Sequence, residues 1–179
     1  MGQIKKYLPV KLIVGFIYKK EALLNKTKRL LKRRFGKIDF ESQALVFNHT
    51  DYYRDEIGEP LQRKFISFQK LITPTDISVI KAITNRLENK LSEESRRLIN
   101  IDPGYIDLAK LILASTKDFR HRIYLDKGIF AEITLFYQNN TFQPWEWTYP
   151  DYRTAEYIAI FNKIRKIYAG QTNPSATSG

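Results

Sequence analysis

The run Lys11–Tyr18, KLIVGFIY, constrains the chain more than any other segment. It is continuous, β-branched and short, so it reads as a buried strand. It falls far below the roughly 20 apolar residues of a membrane span. A sheet must therefore form around it. Glu21–Phe35 follows, with Leu23, Leu24, Thr27, Leu30, Leu31 and Phe35 at helical spacing. Lys26, Arg29, Lys32 and Arg33 fall on the other side of that helix, and Gly36 is a natural stop.

The rest of the chain continues in the same alternation. Residues 43–47 read as a second strand and 49–60 as a long polar loop. Residues 63–72 alternate Phe65, Ser67 and Gln69 against Ile66, Phe68 and Lys70, the pattern of a third strand. Thr73-Pro74-Thr75-Asp76 opens a helix, with Thr as cap, Pro at the first position and an acid three residues on. That helix runs to about Leu91 on Ile77, Ile80, Ile83 and Leu87. Residues 98–101 read as a fourth strand, ended by Asp102-Pro103-Gly104.

The order βαββαβ predicts an α+β chain with a ferredoxin-like core, an antiparallel sheet carrying both helices on one face. A strand at 109–114 and a hairpin, 122–125 with 129–137, extend it, and Asp126-Lys127-Gly128 makes the turn. Asn139-Asn140 signals a second turn. The aromatic stretch QPWEWTYPDY precedes a last helix over 153–168, with Asp151 as its cap. The expected layout is a single α+β domain over residues 1–169 and a flexible tail over 170–179, with no repeat and no linker.

Composition narrows the chemistry. The 179 residues contain no cysteine, which excludes disulfides, cysteine-ligated metals and a catalytic thiol. The net charge of +11 is concentrated at one end: residues 1–40 hold 12 Lys and Arg against Glu21 and Asp39. Such asymmetry marks either a polyanion-binding surface or a solvated basic helix face. No secretory signal is visible and no membrane span is expected, so the cytoplasm is the expected compartment. There is no phosphate loop, no G-x-G-x-x-G and no G-x-S-x-G. Asp55-Glu-Ile-Gly58 and Thr116-Lys117-Asp118 are chance-level matches to nucleotide motifs without that loop. His49 and His121 are the only histidines, and no metal site is expected.

Three segments carry a family resemblance. They are Asn100-Ile-Asp-Pro-Gly-Tyr105, then Ser115–Leu125 with Gly128–Thr134, and Trp147-Thr-Tyr-Pro-Asp-Tyr-Arg-Thr154. Together with Asp51-Tyr-Tyr53 they resemble the bacterial family called domain of unknown function 4416, over essentially the whole chain. The resemblance implies a bacterial, cytoplasmic protein and assigns no activity, cofactor or substrate. Some members resemble proteins labelled GTP-binding, a label that a chain without a phosphate loop does not support.

The residues themselves point to candidate sites. In the hairpin, a two-residue turn sets His121 opposite Glu132, and a three-residue turn sets Arg122 there. Either way a carboxylate in an apolar strand needs a cationic partner. His121, Glu132 and Asp102 are the candidate acid–base groups. Lys117, Arg120, Arg122 and Lys64 are candidate anion binders, with Asp51 and Tyr52 on the polar loop. Each has a structural alternative: a cross-strand ion pair, solvated cations, or an Asp closing its own Pro-Gly turn. Trp145, Trp147, Tyr149 and Tyr152 either stack on bases or pack the last helix. The expected function is binding, with or without chemistry, of a phosphate-bearing small molecule or nucleotide. The alternative is RNA binding through Lys26, Arg29, Lys32 and Arg33.

Overall fold

The computed structural model describes residues 2–4, 6–48, 51–94 and 96–173, without the side chains of Asp51, Arg54 and Asp55. His49 and the 174–179 part of the expected tail lie outside the described residues. The elements in chain order are β1 (Lys11–Tyr18), α1 (Glu21–Phe35), β2 (Ile38–Glu41), β3 (Leu45–Val46), α2 (Arg54–Ile57), β4 (Gln62–Phe68) and α3 (Ile77–Lys90). They continue with β5 (Ile99–Ile106), β6 (Lys110–Ser115), β7 (Arg122–Asp126), β8 (Ile129–Gln138), β9 (Thr141–Pro144) and α4 (Ala155–Thr172). This is an α+β architecture on one nine-stranded sheet of order β2-β4-β1-β5-β6-β8-β7, with β3 beside β4 and β9 beside β8. Every pairing described in it is antiparallel.

β1 is apolar from Leu12 to Tyr18 because both of its faces are covered. Leu12, Val14, Phe16 and Tyr18 pack under α1 and α3, against Leu24, Leu31, Ile77 and Ile80. The alternate residue Ile13 faces the other way, with Phe65, Leu113 and Leu135, under Tyr157, Phe161 and Ile164 of α4. Two helices therefore lie on one face of the sheet and α4 on the other. Among the described residues no helix is long and apolar enough to cross a membrane.

Several expectations change in detail. The strand expected at 43–47 is reduced to β3, Leu45–Val46, and an unexpected strand, β2, precedes it at Ile38–Glu41. The Ser42 N–H donates to the Phe65 carbonyl and its Oγ accepts from the Phe65 N–H. β4 ends at Phe68 rather than 72. The last helix is capped by Thr154, whose side chain accepts from Tyr157 N, and not by Asp151, which sits in the preceding 3-10 turn. That helix runs on to Thr172. The Asn139-Asn140 turn is present, both residues at positive φ (53° and 62°), with Gln138 opposite Thr141.

The largest change is that β5 does not stop at Asp102-Pro103-Gly104 but runs through it to Ile106. The reason is a fork in the sheet. β5 and β6 pair only where Gly104–Ile106 meets Leu111–Leu113. Before the fork, the backbone N–H and C=O of Ile101 point into the gap. Strand periodicity puts the Pro103 nitrogen on that same edge, so its missing N–H forfeits no ladder bond. At Gly104 the strands close tightly: a Cβ there would stand 2.3 Å from the Ile112 carbonyl oxygen.

Candidate functional site

α3 fills the fork with two charged residues on its inward stripe. Lys81 Nζ donates to the Ile101 carbonyl at 3.2 Å, and Glu88 accepts from the Ile101 N–H. The open β5 edge is thereby satisfied by side chains in place of a strand. Lys81 also reaches through the gap to Asp102, 3.4 Å away. Asp102 lies on the far face, opposite Gly15 in the β1–β5 register.

A cavity of about 540 Å³ opens on that far face, beyond the ground covered by α4. Its floor is Asp102 with three donors around it. Arg63 approaches at 3.5 Å and Asn100 Nδ2 donates at 2.5 Å, beside Lys81. Burial works against the Asp102 charge, but Lys81 and Arg63 outweigh it and hold the carboxyl below the usual range. Glu88 shows the opposite balance. Burial pushes it up to about 7, against the pull of Lys81 and the Ile101 N–H. Arg63 is 1% exposed and lies over the rings of Phe65 and Tyr152, 4.8 and 5.2 Å from their centroids. It donates to Tyr152 Oη at 2.6 Å. Gly15 leaves the room for this, since a Cβ there would meet Arg63 and Phe65 at 3.0–3.2 Å.

The second wall is the β7–β8 hairpin. Its register sets Arg122 opposite Glu132, as the three-residue turn requires, with Lys127 and Gly128 at positive φ. Glu132 is 2% exposed. It accepts from Arg122 Nε at 2.9 Å and Thr134 Oγ1 at 3.2 Å, and His121 Nε2 lies 3.2 Å away. Arg122 uses its other nitrogens on Ser115 Oγ, the Lys117 carbonyl and Tyr149 Oη, at 3.0, 2.8 and 2.7 Å. One guanidinium thus ties the hairpin, the loop after β6 and the aromatic segment together. The His121 ring is stacked between Phe119 and Trp147, behind Glu132 as seen from the cavity.

The mouth is aromatic and basic. Tyr52 and Tyr53, in the turn before α2, and Tyr149 close over the cavity. Lys117 Nζ lies 4.6 Å from the Tyr52 ring centroid. Arg97 pairs with Glu56 at 2.5 Å and lies over Tyr53 at 5.3 Å.

The expected site residues separate into two groups. Asp102, Lys117, Arg122, Glu132 and Tyr52 line this cavity, and His121 stands directly behind it. Arg120 is exposed and does not line it. Lys64 is on the opposite face of the sheet, 3.1 Å from Glu41. The Asp51 side chain is outside the described residues. Of the four aromatics, Trp145 and Trp147 stack on each other at 5.1 Å, and Tyr149 and Tyr152 line the cavity, Tyr152 also packing on Phe161.

Sequence reasoning missed Arg63, Lys81, Arg97 and Asn100. Signals existed for two of them. Lys81 and Glu88 stand seven residues apart on the stripe of Ile77, Ile80 and Thr84, where apolar residues belong. Arg63 shares the parity of Phe65 and Ser67, the α4-facing side of β4.

The profile of the family described as Domain of unknown function (DUF4416) matches residues 8–168, and the chain belongs to that family. Comparison with curated proteins gave no match, and comparison with solved structures gave none.

Proposed function

We propose that the chain binds a phosphate-bearing small molecule in the cavity at the β5–β6 fork. One observation carries this reading. Five cationic side chains and three carboxylates line the cavity, and with Arg97 paired to Glu56 outside that lining a formal excess of one positive charge is left. Lys117 at its mouth has no ion-pair partner among the described residues. The volume, about 540 Å³, falls within the roughly 300–1,000 Å³ of small-molecule sites. Buried Arg63 has no acceptor for its Nε among the described residues, and buried donors are nearly always bonded. Tyr52, Tyr53 and Tyr149 offer ring faces to the organic part of a ligand.

In this reading Lys117 meets the phosphate, and Arg97, held by Glu56 and Asn100, borders it. Asp102 and Glu132 hold the cations around them in place, and His121 backs Glu132. Thermal melting against inorganic phosphate and nucleoside mono-, di- and triphosphates tests it. A ligand at about 100 times its Kd adds about 2.7 kcal/mol, roughly 5–10 °C for a chain of this size. Lys117→Ala should remove most of that rise without moving the ligand-free midpoint. No rise with any compound, or an undiminished rise in Lys117→Ala, rejects the reading.

We also read β1, α1, the β2/β3 pair, β4, α3 and β5 as a ferredoxin-like core to which β6–β9 and α4 are added. The strand order β2-β4-β1-β5 and the shared face of α1 and α3 support this.

A further inference from the structure

The opposite face of the sheet carries a second feature that the cavity does not use. α1 and α3 both lie over one core, each with its apolar stripe buried in it. Their outer surfaces are basic. α1 exposes Lys26, Arg29, Lys32, Arg33 and Arg34, and α3 exposes Arg86 and Lys90. Lys28, between them in sequence, turns inward to Glu41 at 2.7 Å. No ion pair to any of the seven occurs among the described residues. The exposed acids of the two helices, Glu21 and Asp76, sit at their N-termini, and each is engaged, with Lys64 and with the Thr73 N–H.

Spacing makes this a stripe. Lys26, Arg29 and Arg33 follow i, i+3, i+7, so they stand in a row about 10 Å long. Like charges at these spacings repel by a few tenths of a kcal/mol per pair. Among the described residues no carboxylate compensates the row, so it is suited to an external polyanion. We infer that the outer face of α1 and α3 binds the phosphate backbone of a nucleic-acid duplex, independently of the cavity.

Two details favour a duplex over other polyanions. An interfacial helix inserts apolar side chains into lipid, but α1 exposes no large apolar residue and α3 only Val79, at 41%. Single strands are held by stacking on rings. Among the described residues the exposed Phe, Tyr and Trp rings are Tyr7, Tyr52, Phe119, Tyr124 and Tyr149, none of them on α1 or α3. What remains is a ring-free row of cations, which reads backbone charge and not sequence.

The test is fluorescence anisotropy with labelled RNA and DNA duplexes from 50 to 200 mM salt. About five phosphate contacts give a log–log slope near −4.5, a loss of roughly 500-fold over that range. Arg29→Glu/Arg33→Glu should weaken binding by at least about 30-fold at low salt, from lost contacts and added repulsion. Lys163→Glu/Lys166→Glu makes the same change in net charge on exposed positions of α4, across the sheet, and should cost less than about 3-fold. Arg29→Gln/Arg33→Gln, with less repulsion, should fall between the two and serves if the reversal variant misfolds. Equal losses in the α1 and α4 variants would overturn the proposal by reducing it to net charge. So would a salt-independent affinity, or binding to phosphatidylserine vesicles with none to duplexes.

Discussion

Lys81 and Asp102 meet at 3.4 Å although they belong to opposite faces of one sheet. The contact exists because β5 and β6 part before Gly104, and the lysine passes through the opening. The same opening makes the cavity floor and frees the backbone of Ile101 for α3. Fold and candidate site therefore depend on one local departure from sheet pairing.

Removing either partner should expose that dependence. Lys81→Met leaves the Ile101 carbonyl unbonded and Asp102 with Arg63 as its one cationic partner among the described residues, beside Asn100. The expected cost is about 2 kcal/mol, for one buried acceptor and half of a charge cluster. Lys81→Met/Asp102→Asn should cost less than the two single changes added together, as urea denaturation of the four proteins would show. Strict additivity would deny the coupling.

Asp102 also sets a pH dependence. Its folded-state pKa is lowered, so its stabilisation is present above the ordinary carboxylate value near 3.8 and is lost as pH falls through the lower folded value. Asp102→Asn should therefore lose stability at pH 7, and the difference from wild type should shrink as pH falls below about 4. A difference that stays constant with pH would mean that the carboxylate's charge contributes nothing.

Glu88 works in the opposite direction. Its folded pKa, about 7, lies above the ordinary value of 4.5. The native state then holds a proton that the unfolded chain releases, so stability declines as pH rises between those two values. Glu88→Gln keeps the acceptor for the Ile101 N–H and abolishes that titration. Its melting midpoint should change less than wild type's between pH 5 and pH 8. An identical pH profile in the two proteins would contradict the raised value.

Gly104→Ala should be strongly destabilising. The new Cβ would stand 2.3 Å from the Ile112 carbonyl oxygen and 2.8 Å from the Leu113 side chain. Backbone cannot yield cheaply, so the fork must open, at about 3 kcal/mol or more. A melting midpoint within about 2 °C of wild type would show that the strands are not held at this distance.

Much of the frame was legible in the sequence because it rests on local periodicity. Continuous apolar β1, the Leu24 and Leu31 stripe of α1, the Thr73-Pro74 helix start and the Asn139-Asn140 turn need no tertiary information. The end of β5 is not legible in the sequence, for a definite reason. Pro-Gly ends a strand when the lost N–H would have met a neighbour, and only the three-dimensional gap shows that Pro103 has none. Arg63 was hidden in a different way. Its environment comes from Tyr152, 89 residues later. Arg122 and Glu132 were findable because hairpin register is local, whereas the position of His121 behind them depends on Trp147.

The most direct test of the cavity reading is a ¹H–¹⁵N correlation spectrum titrated with the phosphate compound that raises the melting point most. Amide shifts should cluster at Tyr53, Arg97, Asn100, Ser115 and Lys117 and leave residues 26–33 unmoved. Shifts confined to residues 26–33 and 86–90, or no saturable shift at all, would contradict a phosphate site at the β5–β6 fork.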